Sequence, residues 1–451
     1  MSGIAELLVK LGYEVTGSDL KESAITTRLA TLGVRVAEGH DPRHVGKADL
    51  VVVSSAVPSD NPERLASLER RIPVVPRGAI LAELVDLKRG IAVVGSHGKT
   101  TTAAMIALIL ERGGLDPTVV IGGVFSAFGS NARLGHGTFM VVEADESDRS
   151  FLQLAPEIAV LTNLDEEHLD AYEGIDELED AFVKFATGVA DTGVVIACLD
   201  DPRLRRLLPK IERPMITYGL EDAEADVYAD RLAVSKSGSL VRVQVSSVDG
   251  GQAEVKFELA VPGRHNVQNA LAALAVGLRL GVSVEAMSDA FRHFTGVERR
   301  FQVVGEAGGV IVIDDYAHHP TEIAAVLATA RLWLPQRLVV VFQPHRYTRT
   351  LHLMKRFGEV LAGADLVFLT EIYAASESPI PGATVAALAK AVKLVAPVPV
   401  RVVSAFDEIV TAVVEAVRPG DVVVMLGAGS ITTLAPRVVE ELARHADKGR
   451  P

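Results

Sequence analysis

Gly95-Ser96-His97-Gly98-Lys99-Thr100-Thr101 follows the apolar run Ile91-Ala92-Val93-Val94. The order is that of a buried strand, a glycine turn and a helix opening at Lys99. Such a turn aims backbone N–H groups and the positive end of a helix dipole at an anion. Lys99 adds a full charge, and Thr100 offers a hydroxyl to a magnesium ion. The spacing departs from the common phosphate loop, which wants a glycine where this chain has Val93. A plain glycine turn does not require two glycines, a lysine and two threonines where a triphosphate needs them. The string makes its region α/β and the chain an ATP user.

Outward from this string, the length of 451 residues suggests about three domains at roughly 150 residues each. Hydrophobic residues make up 49% and charged residues 23%, a globular balance. A net charge of −13 disfavours a general nucleic-acid binder, so anionic ligands need local positive spots. The single cysteine, Cys198, allows no internal disulfide and suits a reducing cytoplasm. It lies in the apolar stretch 194–199 and reads as core. No secretory leader is visible, and no apolar run approaches the ~20 residues of a membrane helix. The expectation is a cytoplasmic protein without membrane or nucleic-acid partners.

Before the phosphate loop, short strands are expected at 14–16, 34–36, 50–54 and 74–75. Asp19 lies just past a strand end, where open α/β sheets bind ligands. Residues 72–90, with two prolines and a basic pair, read as a linker. After it, strands are expected at 139–143, 158–162 and 194–197. Residues 240–261 change to period two across a tight turn, an antiparallel hairpin. A helix follows from about Asn266 to Leu280. Gly296–Phe301 marks a second boundary. Strands near 310–314, 338–342, 366–370, 400–403 and 422–426 then form another α/β unit.

Several strand ends carry chemistry. Phe139–Asp148 reads FMVVEADESD. Glu143 interrupts an apolar run, which suits a magnesium ligand, whereas a solvated loop accounts for Glu146 and Asp148. Ile158–Tyr172 places His168 among acids after a strand, as a further metal or ATP contact. In GRHNVQN (263–269), Asn266 can cap a helix, and Asn266 and Asn269 can equally pair with an adenine edge. DDYAHHP (314–320) and FQPHRYTR (342–349) both follow apolar strands. Arg346 and Arg349, three apart, can share a helix face and grip a carboxylate or phosphate. Gly427-Ala428-Gly429-Ser430 is a lone glycine turn with no role assigned.

Taken together, GSHGKTT, EADESD, GRHNVQN, DDYAHHP and FQPHRYTR resemble the Mur ligase family along essentially the whole chain. The resemblance implies three α/β domains: a Rossmann-like one over 1–88, a central P-loop ATPase-like one with a small hairpin region over 89–298, and a Rossmann-like one over 299–451. They would bind a UDP-sugar, ATP and an amino acid respectively. The family's alanine-adding members match best, with UDP-N-acetylmuramate and L-alanine as substrates, ATP and two magnesium ions. The alternatives are a tripeptide-recycling ligase and a non-catalytic nucleotide-binding remnant.

Residue by residue, the resemblance gives Gly95, Ser96, His97, Gly98, Lys99, Thr100 and Thr101 to the phosphates. Asn266, Asn269, Arg300 and Asp315 would lie around the nucleotide. Thr100, Glu143 and His168 would hold metal. Asp19, His40, Ser54, Ser55 and Arg77 would lie around the UDP-sugar, and Tyr316, His318, Arg346 and Arg349 around alanine. Lys99, Glu143, His168 and His318 would be catalytic. Lys184 sits near a place where some members carry a modified lysine; here it reads as a surface lysine. Family members open with a strand and a glycine-rich loop, and this chain starts at the following helix. That implies a first sheet without its central strand, from a late-called start codon or a true shortening.

Overall fold

The computed structural model describes residues 1–167, 171–246 and 251–448. They form two compact units: one of Met1–Leu232, Leu240–Ala260 and Asn266–Thr295, the other of Gly296–Pro451 with Ala233–Ser239 and Val261–His265. Among the described residues no helix is long and apolar enough to cross a membrane.

The first unit holds a ten-stranded sheet. The phosphate-loop strand, Arg89–Val94, lies inside it between Ile158–Leu161 and Phe139–Glu143, parallel to both. Ile91 through Val94 are fully buried. The run is apolar on both faces because both faces of the sheet are covered. The helix Lys99–Arg112 is buried from Thr100 to Leu110, which fits its near-continuous apolar sequence. Beyond Val194–Cys198 and Met215–Gly219, the sheet continues through Val227–Ser235, Gly238–Ser246 and Gln252–Leu259. The last two are the strands expected of the hairpin; most of its turn lies outside the described residues.

Residues 1–88 depart from a single sheet. Thr16–Asp19 pairs in parallel with Arg35–Glu38, and Val51–Val53 with Val74–Pro76, as two separate two-stranded sheets. The first helix, Ser2–Lys10, packs on the edge strand Ser130–Arg133 of the large sheet, where a Cβ on Gly3 would meet Ala132 at 3.3 Å. Residues 72–90 are not a loose linker, because Arg77–Asp86 is a helix with Leu81, Leu84 and Val85 buried. Its apolar spacing outweighs the flanking prolines, and Pro76 stands before its first turn, where proline is tolerated.

The second unit is a six-stranded sheet in the order Gln302–Ala307, Val310–Asp315, Val422–Leu426, Leu338–Phe342, Leu366–Leu369, Val400–Val402. All pairs are parallel except the first. Successive residues alternate between two cores. Val340 and Phe342 pack with helices Pro320–Ala330, Met354–Leu361 and Val385–Val395; Val339 and Val341 pack with Phe406–Ala416 and Leu434–Lys448.

Candidate active site

In the first unit, three adjacent parallel strands end side by side, so three strings far apart in sequence meet at one edge. They are Gly95–Thr101, Glu143–Asp148 and Thr162–Glu167. Gly98 caps the loop with φ +80°, and a Cβ there would lie 2.6 Å from Asn269 Oδ1. Only glycine lets the loop and that amide approach so closely. Asn269 and Asn266 are both buried on the helix Arg264–Arg279.

Lys99 Nζ donates to both carboxylate oxygens of Glu146, at 2.8 and 2.9 Å, and to the carbonyl of Gly95 at 2.6 Å. Burial works against the lysine charge, but the carboxylates of Glu146 and Glu143 outweigh it and hold its pKa above the ordinary lysine value. Glu146 is fully buried, not part of a solvated loop. The turn after the strand folds it inward under Tyr172, whose hydroxyl donates to the Glu146 carbonyl at 2.6 Å. Asp148 accepts from the N–H of Ser150 and shapes the next turn. Burial raises Asp145, but hydrogen bonds from Ser147 and the Lys99 charge bring it below the usual carboxylate range.

Glu143 Oε2 accepts from Thr100 Oγ1 at 2.8 Å and from the N–H of Gly122 at 2.7 Å. A hydroxyl and a carboxylate at this spacing form a hard oxygen donor pair that suits magnesium. His168 lies outside the described residues. His97 is tied to the third string: its N–H donates to Asn163 Oδ1 at 2.8 Å, and its Nε2 lies 3.2 Å from Asp165 Oδ2. Arg77 reaches Asp145 at 3.4 Å and so stands with the acidic string. His40 meets Ser18, while Asp19 and Ser55 are exposed and Ser54 half-buried at their strand ends. Cys198 is core, with burial pushing its thiol up to about 12, and Lys184 is exposed.

The second unit repeats the arrangement. Adjacent strands end in Tyr316–His319, Gln343–Arg349 and Gly427–Ser430. Asp315 is buried, accepts N–H bonds from Phe301 and Ala317, and is pushed by burial to about 6. The guanidinium groups of Arg299 and Arg300 each lie 4.9 Å from the Tyr316 ring centre. Tyr316, His318, His345 and Tyr373 form a row of rings at successive spacings of 5.2, 5.4 and 5.5 Å.

Arg346 and Arg349 do not share a helix face. Arg346 precedes the helix Tyr347–His352 with φ +69°, and its Nε lies 4.0 Å from Glu377. Arg349 contacts His345 Nδ1 at 3.1 Å. The glycine turn also has a function in the fold: Arg299 donates to the Gly427 carbonyl, and Gln343 bonds Ser430 and Ile431. Sequence reasoning missed Glu146, Asn163, Tyr373 and this turn. Only the position of the turn after an apolar strand signalled it.

Three family models match the chain: "Mur ligase family, catalytic domain" over residues 1–89, "Mur ligase middle domain" over 93–277 and "Mur ligase, glutamate ligase domain" over 299–429. A UDP-N-acetylmuramate–L-alanine ligase of Anaeromyxobacter dehalogenans is 50% identical over 444 residues, covering 98% of this chain and 96% of its own. One from Bordetella pertussis is 48% identical over 453 residues, covering 98% and 96%. Among solved structures, the UDP-N-acetylmuramate–alanine ligase of Thermotoga maritima superposes with a TM-score of 0.84 at 29% identity, covering 99% of this chain and 97% of that one. A murein peptide ligase of Psychrobacter arcticus gives 0.74 at 27%, covering 98% and 96%.

Proposed function

Because the chain belongs to the Mur ligase family, we infer that it joins L-alanine to the lactyl carboxylate of UDP-N-acetylmuramate with ATP, in peptidoglycan precursor synthesis. The observation that carries this over tripeptide recycling is identity of about half with alanine-adding relatives along nearly the whole chain.

The reaction runs in two steps. A carboxylate oxygen of the sugar attacks the γ-phosphorus, the bond to ADP breaks, and an acyl phosphate forms. The alanine amine then attacks the acyl carbon, loses a proton, and inorganic phosphate leaves. No enzyme nucleophile is needed. The first step brings two anions together; at ~4 Å unit charges repel by about 4 kcal/mol at an effective dielectric of about 20. Lys99, held cationic in the loop, offsets that repulsion while backbone N–H groups at the helix start orient the phosphates. Thr100 and Glu143 would hold magnesium, which when bound neutralises charge on the phosphate oxygens. His168 would serve a second ion.

Asn266, Asn269, Arg300 and Asp315 are assigned to the nucleotide. Tyr316, His318, Arg346 and Arg349 are assigned to alanine, where the Arg349 guanidinium supplies a cation beside the flat walls of the row of rings. Asp19, His40, Ser54 and Ser55 are assigned to the UDP-sugar. Arg77, beside Asp145, is suited to the sugar's anionic end.

The test is phosphate release by the purified chain with ATP and magnesium, with UDP-N-acetylmuramate and L-alanine together and with each omitted. Release that needs both supports the ligase. Release only when the tripeptide replaces alanine favours recycling, and nucleotide binding without release favours a binding remnant.

A further inference from the structure

The carboxylate of Glu63 gathers groups from separate segments of the N-terminal region. It accepts from Ser18 Oγ at 2.8 Å, His44 Nδ1 at 3.0 Å and the backbone N–H of Asp41 at 3.2 Å. Ser18 Oγ also lies 3.0 Å from His40 Nδ1, which is 3.6 Å from Glu63 itself. Ser18 belongs to the strand Thr16–Asp19, and His40 follows the strand Arg35–Glu38. Glu63 opens the helix Pro62–Glu69, between the two strands of the other small sheet. One carboxylate therefore ties the two sheets together at their strand ends.

Burial raises Glu63, but the bonds from Ser18, His44 and Asp41 outweigh it and hold its pKa below the ordinary glutamate value. A carboxylate only accepts. The one Ser18 proton therefore points at Glu63, so Ser18 can only accept from His40. Nδ1 of His40 must then carry a proton. In the neutral ring, Nε2 is left as an acceptor, and no protein group among the described residues bonds it. Free histidine favours the opposite tautomer, so the protein enforces this one through the hydrogen bond its other nitrogen makes.

We propose that Glu63 is a positioning residue which, through Ser18, holds His40 in the Nδ1–H tautomer so that Nε2 accepts a hydrogen bond from the uridine part of the UDP-sugar. The ligand half rests on the reading of residues 1–88 given under Proposed function; the tautomer half does not. The donor on uridine is the imide N–H or a ribose hydroxyl, and N3-methyl-UDP separates the two.

The experiment is ¹⁵N imidazole NMR of the full chain at about pH 8, above the ~6.5 of an ordinary histidine, with His40 assigned by its loss in His40→Gln. The wild type should show Nδ1 protonated, and UDP should shift Nε2. Glu63→Ala should switch the ring to Nε2–H and weaken UDP binding by about tenfold, the size of one hydrogen bond. Glu63→Asp, which keeps an acceptor, should recover part of both. An Nε2–H ring in the wild type, or an unchanged tautomer in folded Glu63→Ala, overturns the proposal. Should Glu63→Ala fail to fold, Ser18→Ala breaks the same relay and must give the same switch. If the tautomer switches as expected but UDP moves no signal in the wild type, the placement of the UDP-sugar fails and takes the ligand half with it.

Discussion

His265 shows how burial acts on a single residue. It is neutral because burial, with Arg300 adding to it and Glu322 opposing, depresses its pKa from 6.5 to about 4. Between those values the unfolded chain binds the proton and the folded chain does not. Stability is therefore lost as pH falls from 6.5 towards 4, by up to about 3 kcal/mol. Asp315 acts in the opposite sense. Burial raises it from 3.8 to about 6, so the folded state holds its proton there and is favoured by acid. The two are separated by comparison: between pH 6.5 and 4 the melting temperature of wild type should fall more steeply than that of His265→Asn. Parallel slopes would show that burial of this ring carries no linkage. In the sequence His265 was only one letter of GRHNVQN, and its neutrality comes from neighbours in space.

At the scale of elements, both units use one device. Adjacent parallel strands release their loops at the same edge, and the chemistry sits there. The strand Thr118–Phe125 contributes too, because Gly122 brings its backbone N–H to Glu143. A Cβ at Gly122 would stand 2.6 Å from Glu143 Oε2. Gly122→Ala should therefore push the carboxylate away from Thr100 without unfolding the sheet. The expected outcome is a raised magnesium requirement and a turnover lower by about 10- to 100-fold, the cost of misplacing a reacting group by about 1 Å. A magnesium titration of phosphate release checks it; an unchanged half-saturating concentration would remove Glu143 from the metal assignment. The strands behind these strings were legible because buried strands are apolar runs. The helix Arg77–Asp86 was not, since prolines and a basic pair masked its spacing.

For the molecule as a whole, Glu6 anchors the first helix to the ten-stranded sheet. It is buried and accepts from Lys10 at 2.7 Å, Arg28 at 2.7 Å and Ser130 Oγ at 2.9 Å. Lys10 and Arg28 keep more than a third of their side chains in water, so solvent screens part of this. Glu6→Ala should cost about 1–3 kcal/mol, read as a lower urea midpoint for the N-terminal region. An unchanged midpoint would mean that apolar packing at Gly3 and Leu7 alone holds the helix. By itself, the sequence determined the α/β class, the phosphate loop and most strands that end in functional strings. Those features depend on near neighbours: an apolar run, a glycine turn, a lysine at a helix start. Only the tertiary structure decided that Glu146 is the buried partner of Lys99, 47 residues away, that Arg77 joins Asp145, and that Glu63 binds Ser18 and His44. Such pairings follow from the order of strands in a sheet, and local periodicity carries no record of which strand lies beside which.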